Sequence, residues 1–211
     1  MIRVIPRVYS RILSKSLFIQ STPNPNSQQF FPEKTVLEKG TQDFRTSMDA
    51  FNSPLAKKIF TINGIKSVFL GPDFITVTKN NDSIWDNLND SVFEIIKTHY
   101  ESGDPVLIEN NDEFDNNDDD PEIISKIKNI LENNIRPSIQ NDGGDIVFKD
   151  FDENGYVHIQ LQGACVSCPS STITLRNGVE KMLTHYIPEV TGIVEWNDEL
   201  EYEYKLTFTP I

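Results

Sequence analysis

The chain has 211 residues, enough for one large domain or two small ones. Its composition, 37% hydrophobic and 24% charged, is typical of a folded soluble protein, and no apolar run approaches the ~20 residues of a membrane span. A net charge of −13 argues against nonspecific nucleic-acid binding, and two cysteines are too few for a secreted disulfide scaffold.

The first residues carry the opposite charge from the rest of the chain. Basic residues recur at every fourth position, without any acid, at Arg3, Arg7, Arg11 and Lys15. On a helix this spacing gives a basic stripe beside an apolar stripe, which is typical of a mitochondrial transit peptide; a basic N-terminus without a targeting role is the alternative. We therefore predict that residues 1–16 are a transit peptide and that the protein works in the mitochondrial matrix.

Residues 17–103 are predicted to form a first small domain. The apolar stretch LFIQ indicates a strand, and the Pro/Asn cluster TPNPN that follows indicates a turn. In NSPLAKKIF, Asn52 or Ser53 can cap a short helix that has Pro54 in its first turn. The stretches KSVFL and FITVTK, joined by GPD, predict a β-hairpin.

A second helix is predicted in this domain, with Asp82 or Ser83 as its cap and Gly103 past its end. Its apolar face is expected to consist of Ile84, Trp85, Leu88, Val92, Ile95 and Ile96. His99, in the last turn, is expected at the surface and not as a ligand, because histidine suits the negative end of a helix dipole. The sequence of this domain offers no catalytic constellation.

Residues 104–120 are predicted to be an acidic flexible linker. No basic residue occurs between Lys97 and Lys126, and so acidic a stretch cannot bury enough apolar surface to offset the entropy of the chain. The acids lack the Gly and Glu placement of a calcium loop, so we expect no metal site here.

Residues 121–196 are predicted to form a second domain. Asp120 can cap a helix that starts at Pro121 and whose apolar face is Ile123, Ile124, Ile127, Ile130 and Leu131. NDGGD is a turn in which Gly143 and Gly144 can adopt positive φ, and DIVFKDF, Asn-Gly and the alternating YVHIQLQG then predict a hairpin.

A last helix and strand complete this second domain. The helix, in SSTITLRNGVEKMLTHYIP, has the predicted apolar face Leu175, Val179, Met182, Leu183 and Tyr186, and VTGIVEW follows as a third strand. The predicted fold class is therefore α+β: two small α+β domains joined by an acidic linker, the C-terminal one in the order α-β-β-α-β. Residues 197–211 are predicted to be a tail or an extra edge strand.

Both cysteines of the chain, Cys165 and Cys168, lie in the stretch GACVSCPSS. They fall between the predicted end of a strand and the start of a helix, where free N–H groups and the helix dipole stabilise thiolates. A thiolate is both a nucleophile and a metal ligand, so this position suits either redox chemistry or metal binding.

Three interpretations of the CxxC motif compete. The first is a pair of packed thiols or a small disulfide. The second is a thioredoxin-type dithiol, which usually lies in a βαβ unit, whereas the strand here is predicted to belong to a hairpin. The third is a zinc or iron–sulfur site, which needs four ligands. The local chemistry does not distinguish between these two kinds of site. His158 is expected on the surface of its strand, and His185 is expected too far along the helix to reach the cysteines. A second chain would therefore have to complete the ligand set.

Longer stretches around these cysteines resemble a known family. IRPSIQNDGGDIVF and GACVSCPSSTITLRNGVE resemble the C-terminal domain of NifU-like (Nfu-type) iron–sulfur scaffold proteins. TPNPNSQQF, SPLAKKIFTINGIKSVFLGPDFITVTK and SGDPV resemble the N-terminal domain of the mitochondrial members. The resemblance covers roughly residues 17–195 in the same domain order, and the tail DELEYEYKLTFTPI matches nothing in the family.

This resemblance implies an assembly factor, not an enzyme, that binds a [4Fe–4S] cluster through Cys165 and Cys168 and transfers it to mitochondrial apoproteins. Recipients in the family include lipoate synthase and respiratory and aconitase-type enzymes, and other iron–sulfur assembly factors are expected partners. Two thiolates per chain predict a cluster-bridged homodimer. We expect no nucleic-acid partner and no membrane insertion. A thioredoxin-like dithiol oxidoreductase and a zinc-stabilised interaction module are the alternatives.

Overall fold

The computed structural model describes residues 17–108, 121–166 and 169–196, with the backbone alone at 169–172. These residues form two α+β domains, each with its own sheet and its own hydrophobic core. The predicted transit peptide, the predicted cap Asp120, and the tail at 197–211 lie outside the described residues. No helix in the described ranges is long and apolar enough to cross a membrane.

The first domain is built on an antiparallel sheet with the strand order β1-β2-β5-β4-β3. Its strands are β1 (Phe18–Ser21), β2 (Ser27–Phe31), β3 (Gln42–Phe44), β4 (Ile65–Leu70) and β5 (Ile75–Lys79). Its helices are α1 (Pro54–Phe60), which follows a 3-10 turn at Asp49–Asn52, and α2 (Trp85–Ser102). A single core cluster joins apolar residues of both helices to alternate residues of the strands.

Helix α1 starts as predicted. The Ser53 hydroxyl accepts a hydrogen bond from the backbone N–H of Ala56 at 3.1 Å, and Pro54 follows it in the first turn. Helix α2 starts differently, because neither Asp82 nor Ser83 caps it. Ile84 occupies the N-cap position without a side-chain cap, in extended conformation, so its side chain leaves the helical face and is exposed.

His99 is fully buried, so the prediction of a surface histidine was wrong. It follows Leu88, Val92 and Ile96 on the buried face of α2, where the helical repeat places it whatever its residue type. Helix α2 ends as predicted at Gly103, which adopts the left-handed conformation.

The packing of the first domain continues into the residues after Gly103. The Ser53 hydroxyl donates to the carbonyl of Val106 at 2.7 Å, and the N–H of Ile108 donates to the carbonyl of Asn52 at 2.7 Å. Residues 104–108, which the sequence places in the linker, therefore contact the first domain; residues 109–120 lie outside the described part of the chain.

The second domain is built on a mixed sheet with the strand order β6-β7-β8. Its elements are α3 (Glu122–Ile130), a π-helical turn at Leu131–Ile135, α4 (Arg136–Asn141), β6 (Gly144–Phe151), β7 (Tyr156–Gly163), α5 (Pro169–Tyr186) and β8 (Gly192–Glu195). The hairpin between β6 and β7 turns at Gly155, which has φ +81.

Strand β7 belongs to a βαβ crossover as well as to the hairpin. It pairs antiparallel with β6 on one side and parallel with β8 on the other, and α5 makes the connection from β7 to β8. The prediction that the strand before the cysteines belongs to a hairpin and not to a βαβ crossover was therefore wrong. A short strand after a helix can pair in either direction, and the residue pattern does not choose between them.

Two residue assignments in this domain also differ from expectation. Gly143 has φ +85 as predicted, but Gly144 begins β6 and has no positive φ. Tyr186, expected on the core face of α5, is 63% exposed, and Ile187 just past the helix is buried in its place.

Candidate metal centre

The first cysteine lies where β7 gives way to α5. Strand β7 ends at Gly163, which has φ +63, and Ala164, Cys165 and Val166 form a turn before the helix begins at Pro169. The turn is held by hydrogen bonds from the N–H of Ala164 to the carbonyl of Gly143 at 3.1 Å and from the N–H of Val166 to the carbonyl of Gly163 at 3.3 Å. We call residues 163–166 the cysteine loop.

Cys165 is 4% exposed and belongs to the core cluster of the second domain. Its sulfur has room because Gly144, on the neighbouring strand, lacks a side chain. A Cβ atom at Gly144 would lie 2.6 Å from the Cys165 Sγ and 2.5 Å from the carbonyl oxygen of Gln162. Gly144 is therefore needed for the space it leaves beside the thiol.

Cys165 also lines a groove of about 490 Å³. Apolar side chains of α4 and α5 and of the π-helical turn form much of its wall: Ile135, Ile139, Leu175, Val179 and Met182. Asp142 lies at the same groove, and burial raises the pKa of its carboxyl above the usual value. Pro23 of the first domain lies on the wall too, so the surroundings of the cysteine are shared between the domains.

Residues of the first domain hold the backbone of the cysteine loop. The side-chain amide of Asn24 donates to the carbonyl of Ala164 at 2.9 Å, and the N–H of Gly163 donates to the carboxylate of Asp43. Burial raises the pKa of Asp43, against the opposing effects of Arg45 and of the Gly163 N–H. Both contacts were missed from sequence, although the turn TPNPN that contains Asn24 was noted there.

A buried carboxylate supports the loop from the side of β6. Asp145 accepts hydrogen bonds from Arg136 Nε at 2.9 Å and from the Thr41 hydroxyl at 2.7 Å. Arg136 also donates to the carbonyl of Ile146 at 3.1 Å, and pairs with Glu132 one turn earlier. These hydrogen bonds and the Arg136 charge satisfy Asp145 inside the protein and offset part of the cost of burying it.

The other predicted site residues are separate from this loop or are not described. Cys168 lies outside the described residues. His158 contacts Asp152, with Nε2 3.3 Å from Oδ2, and His185 packs against Tyr186 in the last turn of α5. Among the described residues, no three or more His, Cys, Asp or Glu side chains are grouped so that they could hold a metal ion.

Two family models match this chain. The model described as "Scaffold protein Nfu/NifU N terminal" matches residues 17–103, and the model described as "NifU-like domain" matches residues 127–194. The two matches follow each other in the order of the two sheets.

Curated relatives match over most of the chain. "NFU1 iron-sulfur cluster scaffold homolog, mitochondrial" from Homo sapiens is 48% identical over 187 residues, which are 87% of this chain and 73% of the relative. "NifU-like protein 5, mitochondrial" from Arabidopsis thaliana is 47% identical over 186 residues, 85% of this chain and 68% of the relative. With both family models and these relatives matching, the chain belongs to the NifU-like (Nfu-type) family of iron–sulfur cluster scaffold proteins, in its mitochondrial branch.

Proposed function

We propose that this chain binds a [4Fe–4S] cluster through Cys165 and Cys168 and passes it to mitochondrial apoproteins. The observation that carries the proposal is the place of Cys165 at a strand-to-helix turn, beside a groove and three residues before the only other thiol of the chain. Cys165 is held at the end of strand β7 and is 4% exposed, so ligand exchange on this proposal requires the turn to become accessible.

The cluster would be shared between two chains. A [4Fe–4S] cluster has four irons that each take one external ligand, and each chain supplies two cysteines. The described residues around Cys165 provide no further cluster of metal-binding side chains. The simplest closed arrangement is therefore a two-fold dimer with Cys165 and Cys168 of both chains around one cluster.

Transfer on this proposal is ligand exchange, and the cluster is cargo. Each thiol loses a proton when its sulfur binds iron and regains one when an acceptor thiolate takes its place. No general acid or base is assigned, because the exchange needs only thiolates and access. Lipoate synthase and respiratory and aconitase-type enzymes are the proposed recipients, and other assembly factors would load the cluster.

We also propose the division of labour along the chain. Residues 17–103 form the Nfu N-terminal domain, and residues 121–196 form the domain that binds the cluster. The acidic residues 104–120 link the two. Residues 1–16 would direct the chain to the matrix, and residues 197–211 would form a tail or an edge strand.

Two cysteine variants test the ligand assignment. Cys165→Ser and Cys168→Ser should each abolish cluster assembly in anaerobic reconstitution while the far-ultraviolet circular dichroism stays unchanged. His158→Gln is the control and should assemble a full cluster, because His158 is bound to Asp152 and not grouped with Cys165. A full cluster on either cysteine variant would refute the assignment.

The βαβ crossover gives the dithiol oxidoreductase a specific structural argument, so it is the second candidate. The visible spectrum and metal content of protein purified without oxygen separate the candidates. Brown protein with iron and sulfide supports the carrier. Metal-free protein that reduces disulfides supports the oxidoreductase, and colourless protein with stoichiometric zinc supports the zinc-stabilised interaction module.

A further inference from the structure

A row of side chains crosses the outer face of the first sheet, one from each of four adjacent strands. Gln29 pairs with Thr76, Thr76 with Phe69, and Phe69 with Asp43, so the four residues lie side by side. Their strand neighbours Phe30, Ile75, Leu70 and Phe44 face the core of the first domain. The four therefore point away from that core, and we call them the docking row.

The docking row is nevertheless buried, because the second domain covers it. Gln29 and Thr76 are 0% exposed and Phe69 is 1% exposed. Gln29 Nε2 donates to the carbonyl of Gln140 at 2.9 Å, and Asp43 accepts the N–H of Gly163. The row thus contacts the backbone of the second domain at two places, in the last turn of α4 and in the cysteine loop.

Two glycines of the second domain allow this close approach. A Cβ atom at Gly143 would lie 3.0 Å from both Thr22 and Thr76, and one at Gly163 would lie 2.9 Å from the ring of Phe69. Both glycines also have positive φ, at +85 and +63, which other residues rarely adopt. The docking row therefore fits closely against the backbone of the second domain at Gly143 and Gly163.

The closed contact leaves polar atoms unsatisfied. Gln29 Oε1 and Thr76 Oγ1 are buried without a hydrogen-bond partner among the described residues. A buried polar atom without a partner is costly, and water would satisfy both atoms if the domains separated. This cost opposes closure, which favours an interface that opens over a permanent core.

We propose that the docking row, with Asn24 and Thr41 beside it, is an intramolecular interaction surface for the cysteine loop. While the row is docked, the first domain, with Pro23 on the wall of the groove beside Cys165, shields the thiol. When the domains separate, the loop becomes accessible to a second protein. The shielding is a property of the metal-free chain, and only its consequence for cluster exchange rests on the proposed function.

The test measures the rate at which iodoacetamide alkylates Cys165 in the metal-free full-length chain, followed by mass spectrometry in a Cys168→Ser background. Asn24→Asp keeps the oxygen that accepts the N–H of Asn26 but loses the donor to Ala164. Asn26→Asp is the matched control, with the same charge change in the same turn, because the side chain of Asn26 contacts only Lys79 and Asn81 of its own domain among its described hydrogen bonds.

Asn24→Asp should speed alkylation about tenfold, because a buried hydrogen bond is lost and a carboxylate faces a carbonyl, while Asn26→Asp stays within about twofold of the parent. Equal rates in all three proteins would overturn the proposal.

If circular dichroism shows that Asn24→Asp does not fold, Thr41→Val provides the test instead. That variant removes the hydroxyl that donates to Asp145, and it should speed both alkylation and the hydrogen exchange of the Gly163 amide. Unchanged rates in Thr41→Val would also overturn the proposal.

The failure of this proposal differs from that of the carrier function. Fast alkylation in Asn24→Asp, in a protein that never assembles a cluster, would support the docking row and contradict the carrier. Equal alkylation rates, in a protein that assembles its cluster normally, would support the carrier function and contradict the docking row.

Discussion

His99 lies in the core of the first domain, where a positive charge is costly. Burial lowers its pKa below the usual 6.5, and Lys58, with Nζ 3.4 Å from the His99 Nδ1, lowers it further. Asp104 acts in the opposite direction but pairs directly with Lys58 at 2.6 Å. The folded domain therefore favours the neutral form of His99.

The stability of the first domain should fall as the pH drops below 6.5. The unfolded chain protonates His99 near that pH, whereas the folded chain does so only at a lower pH, so the free energy of unfolding decreases between the two values. Urea unfolding, followed at Trp85 in a Trp196→Phe background, measures the slope. His99→Phe should flatten it, and an unchanged slope would show that other groups control the pH dependence.

Ser53 connects two parts of the first domain and should be sensitive to substitution. Its hydroxyl accepts from Ala56 and donates to Val106, so Ser53→Ala loses a helix cap and a tether together. We expect a loss of about 1–2 kcal/mol in the free energy of unfolding, measured at Trp85. Ser83→Ala is the matched control and should change it by less than about 0.5 kcal/mol, since Ser83 does not cap α2. Equal losses in both variants would contradict the cap assignment.

At the scale of elements, α5 connects the site to the core of the second domain. It starts three residues after the cysteine loop and crosses from β7 to the parallel strand β8. Val179 and Leu183 are buried along it, and both belong to the core cluster that contains Cys165. A loss of packing along α5 should therefore affect the whole second domain.

Leu183→Ala should lower the free energy of unfolding of the second domain by about 2–5 kcal/mol, because Leu183 is fully buried. Tyr186→Ala should change it by less than about 0.5 kcal/mol, because that ring is exposed. Unfolding followed at Trp196 in a Trp85→Phe background gives both values. A larger loss for Tyr186→Ala than for Leu183→Ala would contradict the packing described.

The helices were predictable where periodicity and capping agree, as at Ser53 and Gly103. Strand β2 was missed because its sequence, SQQFF, begins with three polar residues, of which Gln29 is covered by the second domain. The parallel pairing of β8 with β7 could not be predicted, because the direction of pairing depends on the path of the whole chain. The position of the cysteine loop between a strand and a helix was predictable from the sequence around the CxxC motif. The supports of the loop, Asn24 and Asp43, were not, because they come from a distant part of the sequence.

At the scale of the whole molecule, the two domains meet at the cysteine loop, and their charge opposes association between chains. Each chain carries a net charge of −13, so two chains repel each other at low salt. A shared cluster would offset this repulsion by binding thiolates of both chains. We therefore expect dimerisation to depend on the cluster, and chelation of iron to return the protein to monomers.

Import should remove the basic N-terminal segment. The acid-free stripe within residues 1–16 predicts cleavage before about residue 20 in the mitochondrial matrix. N-terminal sequencing of the native protein from fractionated cells measures this. A protein that keeps Met1 and is recovered in the cytosol would contradict the prediction.

On the proposed function, one cluster is held by cysteines of two chains. Anaerobic light scattering on the reconstituted protein, with iron and sulfide determined on the same sample, tests it most directly. We expect a dimer, or an assembly of dimers, with about four irons and about four sulfides per two chains. A monomer that carries a full cluster on every chain would contradict it, because the remaining ligands would then have to come from elsewhere.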